Sequence, residues 1–272
     1  MSMSPPFPAS AAVTPPRRRF ASLRSIMALV LREMGSSYGR SPGGYLWAVL
    51  EPVAGITLLA LVFSAAFRAP PIGINFAMFY ATGMMPFLLF SDVQGKVAGS
   101  LLYSRQLLAY PTVTFVDAML ARFLLNGATQ VLVSYLVFFG CAILFETRIT
   151  PDLPRIVEAT ALALLLALGI GALNCFLFTA FPLWQRAWSI LMRPMFLLSG
   201  VVMLLEAVPQ PYRDWLWYNP LTHVVGLMRA GFYSTYEAAY VSIDYVVTIS
   251  LICLALGLLL LRRHHRELLS NS

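Results

Sequence analysis

Charge is scarce in this sequence: of 272 residues 11% are Asp, Glu, Lys or Arg, against 59% hydrophobic, and the mean hydropathy is +0.74. Ordinary soluble domains carry about 25% charged residues, so a chain that keeps its whole surface in water is excluded. Cysteine is nearly absent. Cys141, Cys175 and Cys253 all fall inside long apolar runs, which leaves no disulfide framework to read. Histidine is equally rare: His223 stands alone, and His264 and His265 sit side by side in a basic C-terminal stretch, without metal-ligand spacing. No GxxxxGK[ST] occurs, so the chain carries no phosphate-cradling loop of that kind. No paired carboxylates offer an acid and a base. An enzyme and a resident cofactor or metal are therefore not expected.

What the sequence does have is apolar length. Crossing a bilayer takes about 20 mostly apolar residues. Six runs qualify: Tyr45 to Phe67, Ile74 to Val93, Phe123 to Phe145, Ala159 to Phe181, Trp188 to Leu205 and Tyr245 to Leu261. The expected fold is an all-α membrane protein of six transmembrane helices forming a single domain over residues 41–272. Residues 1–19, rich in Ser, Pro and Ala, read as a disordered cytoplasmic tail. Arg17, Arg18 and Arg19 imitate a targeting peptide, but Arg24, Arg32 and Glu33 interrupt the apolar run that one would need. Residues 20–40 instead alternate apolar and charged positions at helical spacing and predict an amphipathic helix lying on the membrane surface.

Orientation follows from the basic residues, because Lys and Arg are retained on the cytoplasmic side. With both termini inside, 14 of the 19 basic residues are cytoplasmic; Arg68, Arg148, Arg155, Arg213 and Arg229 remain outside. The net charge of +7 is thus read as membrane-flanking arginine, not as a nucleic-acid surface. The apolar stretch Val208 to Tyr233 is not counted as a seventh span, since Pro209, Pro211, Pro220 and the pair Arg213 and Asp214 break it, and a further crossing would put Arg262, Arg263 and Arg266 outside. A re-entrant segment before the last helix is expected there, at the outer mouth of a cavity. Asn219 and Pro220 mark a helix start, with Leu221, Val224, Val225, Met228 and Phe232 on one face and Thr222, Gly226, Arg229 and Tyr233 on the other.

Three segments carry a resemblance. Leu31 to Gly39 (LREMGSSYG), Gly43 to Pro52 (GGYLWAVLEP) and Tyr218 to Leu227 (YNPLTHVVGL) resemble the KpsM-type permeases of capsular polysaccharide ABC exporters, in order and spacing from about Ser25 onward. The resemblance implies a permease homodimer in the bacterial inner membrane, joined by two ATPase subunits, a periplasmic co-polymerase and an outer-membrane polysaccharide export protein. It also implies an acidic capsule polymer on a lipid end as cargo. Permeases for O-antigen or teichoic acid are the alternative within the class; a membrane-embedded transferase acting on a lipid-linked sugar is the rival outside it.

Candidate residues divide into two groups. Arg32 and Glu33 in the surface helix, with Lys96, Arg105 and Gln106 in the loop expected between the second and third spans, are candidates for the surface that couples to the ATPase; the bland reading is a solvated basic face. On the substrate path, Glu51 lies about two turns into the first span, where a charge is costly, so it lines a cytoplasmic entrance or pairs with Arg193 at similar depth. Tyr212, Arg213, Trp215, Trp217 and Tyr218 cluster with His223 and Arg229 in the re-entrant segment, where aromatic faces can stack on sugar rings and arginine can guide an anionic polymer; interfacial anchoring explains other aromatics such as Trp47 and Trp184. Asn126, Gln130 and Ser134 share one face of the third span, and Gly169 and Gly171 mark close helix approach in the fourth; both read first as packing, the polar stripe at a dimer interface.

Overall fold

The computed structural model describes residues 21–37, 44–105, 113–145 and 150–271. The expected tail 1–19, both edges of the surface helix as drawn from sequence, and Gln106 lie outside them. Among the described residues there is helix and no strand. In chain order the helices are α1 (Ala21–Ser37), α2 (Gly44–Ala66), α3 (Phe76–Ala98), α4 (Ser100–Tyr103), α5 (Phe115–Leu144), α6 (Leu153–Ala180), α7 (Pro182–Leu198), α8 (Tyr212–Trp217), α9 (Pro220–Phe232) and α10 (Ile243–Asn271).

Helices α3, α5 and α6 outrun the apolar segments, and a polar cap sets where each of them begins. Thr114 and Asp117 form a reciprocal capping box (3.2 and 3.0 Å), so α5 opens at Phe115 rather than at Phe123. Asp152 accepts from the Arg155 amide at 3.4 Å, and with Pro154 in the first turn starts α6 ahead of Ala159. The side chain of Asn75 caps α3 through the Ala77 amide at 2.8 Å.

Five of the helices are long and apolar enough to cross a membrane among the described residues: α2, α3, α5, α6 and α10. Two of these form the interior. The most apolar stretch of α3 is 72% buried and that of α6 56%, against 11%, 22% and 17% for α2, α5 and α10. Small residues on α6 permit this. A Cβ at Gly169 would sit 2.2 Å from the Ser250 carbonyl oxygen on α10, and one at Gly171 would sit 2.8 Å from the Val97 Cβ on α3. The glycine pair therefore marks close helix approach.

The expected fifth span is placed differently. Pro182 occupies the first turn of α7, so the helix begins before Trp188 and takes Trp184 and Arg186 into it. It ends at Leu198, because Gly200 turns into the left-handed region at φ +77°. Its 17 residues span roughly 26 Å, short of a hydrocarbon core of about 30 Å. No residue of α7 is buried.

The expected re-entrant stretch, Val208 to Tyr233, folds as α8 and α9, preceded by a 3-10 turn (Leu205–Ala207). Asn219 caps α9 by accepting from the Leu221 amide at 3.1 Å, with Pro220 first in the helix. The two-faced pattern does not hold: every residue from Leu221 to Phe232 is buried, including Thr222 and Arg229 on the stripe expected to be polar. Thr222 Oγ1 and the two terminal nitrogens of Arg229 bond backbone carbonyls within the chain, which gives that face partners other than water.

Candidate functional site

At the end of the bundle where α1, α4 and α5 meet, a buried ion pair holds the surface helix in place. Glu33 is 3% exposed; its Oε1 accepts from Arg122 Nε of α5 at 2.8 Å and from Asn126 Nδ2 at 3.5 Å. The Arg122 guanidinium lies 4.3 Å from the centre of the Tyr103 ring at the end of α4, and the Arg32 guanidinium lies 5.6 Å from that same ring. Ser22 donates to Asp117, fixing the other end of α1 to the first turn of α5. Glu33, expected on the outer surface, is instead the anchor beneath it. Its partner is 89 residues away, a pairing that local spacing does not reveal. Arg32 and Arg105 are exposed. Leu23, Met27 and Leu31 are also exposed, at four-residue steps along α1, which leaves an apolar stripe suited to a membrane surface.

Glu51 opens onto a cavity of about 630 Å³ between α2, α3 and α5. Trp47, Ser91, Asp92, Lys96 and Gln130 share its walls, and Gln130 Nε2 donates to Asp92 Oδ2 at 2.9 Å. Lys96, grouped from sequence with the coupling loop, belongs to this cavity because α3 continues through Ala98 and carries it there. Asp92 was missed for a related reason: it sits at the very end of the apolar run Ile74 to Val93, where the loop was expected to begin. Arg193 does not line the cavity, and the expected pairing with Glu51 is not made within the chain; the ion pairs among the described residues are Glu33 with Arg122 and Asp152 with Arg155. The stripe Asn126, Gln130 and Ser134 is also reassigned. Asn126 bonds Glu33 and Gln130 bonds Asp92, both inside one chain, so these two need no second copy to explain them, whereas Ser134 Oγ is buried with no hydrogen-bond partner among the described residues.

The aromatic and cationic cluster around α8 and α9 separates into two parts. One part is locked. His223, fully buried, approaches the Trp217 carbonyl through Nε2 at 2.8 Å and accepts from the Ser242 amide at Nδ1 at 3.1 Å, which together place the proton on Nε2. Trp217 donates to the Tyr240 carbonyl at 3.0 Å and stacks edge-on against His223. Arg229, 1% exposed, donates to the carbonyls of Val201 (2.9 Å) and Met203 (3.3 Å) and lies 4.3 Å from the Phe79 ring centre. These three residues hold α9 against its neighbours, so they are placed as structural pins. The other part is bare: Tyr212, Trp215 and Tyr218 are 59%, 69% and 67% exposed at three-residue steps, with Arg213 half-buried beside them. A third feature was not anticipated. Tyr236 donates to both carboxylate oxygens of Glu206 at 3.0 and 3.1 Å, tying the loop after α9 to the 3-10 turn. Burial pushes the Tyr236 hydroxyl well above its usual range, so it keeps the donated proton.

Comparison with known proteins follows the geometry. Residues 24–233 match the ABC-2 type transporter family. The chain is similar to the polysialic acid transport protein KpsM of Escherichia coli, with 30% identity over 247 residues that cover 91% of this chain and 96% of that protein. It is similar to the capsule polysaccharide export inner-membrane protein CtrC of Neisseria meningitidis at 27% identity, covering 88% of this chain and 91% of that protein. For the corresponding BexB protein of Haemophilus influenzae the figures are 25%, 88% and 90%.

Proposed function

This chain belongs to the ABC-2 type transporter family, and on that premise we propose that it is the membrane permease of a capsular polysaccharide exporter in a bacterial inner membrane. It is a transport subunit and not an enzyme; a separate ATPase drives it. The observation that carries the reading is similarity along nearly the whole length of both chains to proteins that export capsule polysaccharide.

Around this core the finer assignments are ours. The termini are cytoplasmic, by the arginine excess on that side. The unit is a homodimer: α7 presents no buried residue, and α2 exposes Leu46, Leu50, Leu58 and Leu61, which leaves apolar surface for a second copy and for lipid. Two ATPase subunits dock beneath α1 and α4, where Arg32 and Arg105 are exposed and the clamp of Tyr103, Arg122 and Glu33 links both helices to α5. A periplasmic co-polymerase and an outer-membrane export protein complete the path. Glu51 serves the cytoplasmic entrance; Tyr212, Arg213, Trp215 and Tyr218 form the outer aromatic edge over which an acidic polymer passes, and the segment bearing them dips back toward the bilayer.

Deleting the gene in its host tests this. Polymer trapped in the cytoplasm is the expected result. Absence of polymer would move the protein to synthesis, and an unchanged surface would assign it another cargo.

A further inference from the structure

Unbalanced charge of both signs lies at one height in the molecule, on different flanks of it. The polar cavity between α2, α3 and α5 holds two carboxylates, Glu51 and Asp92, against one ammonium, Lys96, and Glu51 joins no ion pair among the described residues. Helix α7 carries the opposite imbalance: Arg186 and Arg193 are both exposed and join no ion pair among those residues. Arg193 stands in an apolar run, where a guanidinium left against lipid is costly.

Helix α3 gives a common scale of depth. Trp188 of α7 donates to Gln94 at 3.2 Å, and Phe196 meets Phe87 edge-on at 5.3 Å, so α7 runs antiparallel to α3 and Arg193 falls beside Leu89 and Phe90 in height. Gly55 of α2 packs against the Met84 side chain, and one turn further along α3, Leu88 lines the cavity with Glu51. Glu51 and Arg193 therefore stand within ~3 Å of the same height. They do not meet inside one chain. Gln94 and Phe87, which hold α7, share a face of α3 about a third of a turn from the face of Leu88, Asp92 and Gly95 that lines the cavity. Both charges also sit on uncovered stripes: Trp47, Glu51 and Leu58 on α2, and Arg186, Arg193 and Leu197 on α7, all exposed at the steps of four and seven residues that let helices pack side by side.

We propose that the polar cavity is completed by a second copy of this chain: the partner's Arg193 enters it and pairs with Glu51, and the contact is made twice around a two-fold axis along the bilayer normal. Rotation about that axis preserves height, so only groups already level can meet across it. One guanidinium brings the charge of the cavity into balance, and its planar fork suits a carboxylate in a contact shielded from water. The two α7 helices then lie nearest the axis, with Ile190 on the edge that faces it and Arg193 on the edge that faces the partner's α2. The inference deepens the export reading, from which it takes the second copy, by naming the residues that join the two subunits.

Cross-linking in membranes tests the pair. Two differently tagged full-length chains, with Cys141, Cys175 and Cys253 replaced by alanine, are co-expressed; one carries Glu51→Cys and the other Arg193→Cys. A short bis-thiosulfonate joins them, because the Cα atoms of a carboxylate–guanidinium pair stand beyond the ~7 Å that a disulfide spans. This mixed pair keeps one Glu51–Arg193 contact intact and is expected to link. Glu51→Cys with Leu191→Cys, which is exposed on the opposite face of α7, is expected not to. Reversal of one charge, Glu51→Arg or Arg193→Glu, sets like charges together and is expected to lower the dimer recovered from detergent about tenfold, and reversal of both in one chain to restore it. Equal linking of the two cysteine pairs, no linking of either, single reversals that leave the dimer intact, or a double reversal as weak as the single ones would overturn the proposal. Surface polymer in the host judges the export reading separately. Specific linking in a chain whose deletion leaves the surface unchanged would keep the pair and discard the export role; chains that do not link, but whose deletion traps polymer, would do the reverse.

Discussion

Helices α7 and α9 are written in similar residues and end in opposite circumstances. Both open on proline and both carry arginine among apolar neighbours. In α9 all of Leu221–Phe232 is buried, and Arg229 is held by two carbonyls and an aromatic ring. In α7 nothing is buried, and Arg186 and Arg193 project from it exposed, outside any ion pair among the described residues. The difference lies in what surrounds each arginine. The loop after α7 bends back through Gly200 and delivers the Val201 and Met203 carbonyls to Arg229, whereas the bonds that reach α7, from Trp184 to Asn174 and from Trp188 to Gln94, leave its two arginines untouched. A buried cation is tolerated where carbonyls and an aromatic face take up its charge, as they do at the terminal nitrogens of Arg229; an unburied helix is a surface left for another molecule.

The largest effect should come from undoing the match in α9. Arg229→Ala strands two carbonyls and opens a hole against Phe79, for an expected loss of about 3–5 kcal/mol. Arg229→Met keeps most of the volume and loses only the donors, so it should cost about 2–3 kcal/mol. Thermal unfolding of the detergent-solubilised protein reads both. Equal and negligible losses would mean that α9 does not depend on its arginine, and the contrast with α7 would collapse.

A smaller effect is expected nearer the start of α9. His223→Ala removes the acceptor of the Ser242 amide and a contact to the Trp217 carbonyl, for about 2 kcal/mol, while Trp215→Ala on the exposed edge should leave stability within about 0.5 kcal/mol. Export separates them further: surface polymer should fall in Trp215→Ala despite an intact fold. A destabilised Trp215→Ala would show that the exposed and locked halves of the cluster are not distinct.

Much of this was legible in the chain before it folded. Apolar runs bounded by charge located α2, α3, α5, α6 and α10, since lipid demands long helices that satisfy their own backbone. The Asn219–Pro220 pair announced α9 because cap and first-turn preferences are local. What stayed hidden depends on partners distant in sequence. Glu33 looks like a surface acid until Arg122 is brought to it, and Asp92 and Lys96 look like loop until α3 is seen to run past its apolar stretch. For α7, the apolar window beginning at Trp188 outweighed Pro182 as a start signal, which shifted the helix toward its C-terminus. The same window also concealed that Arg186 and Arg193 both stand exposed on this helix, since hydropathy averages over a helix that is two-sided.

The smallest stability change is expected where the chain provides no partner. Arg193→Ala should leave unfolding within about 0.5 kcal/mol, because an exposed, unpaired side chain loses little on truncation. Its effect should appear between copies. Ile190, 66% exposed on α7, is the reporter: in an Ile190→Cys chain with its three native cysteines replaced, mild oxidation in membranes should yield a disulfide-linked pair if α7 faces α7 across a dimer. A two-fold axis brings identical residues together, so a single substitution near that axis suffices. Cross-linking that weakens when Arg193→Ala is added would assign the arginine to the dimer contact. A chain that stays monomeric under oxidation, while cysteines placed on the exposed face of α2 do cross-link, would instead turn α7 toward lipid and move the dimer seam to α2.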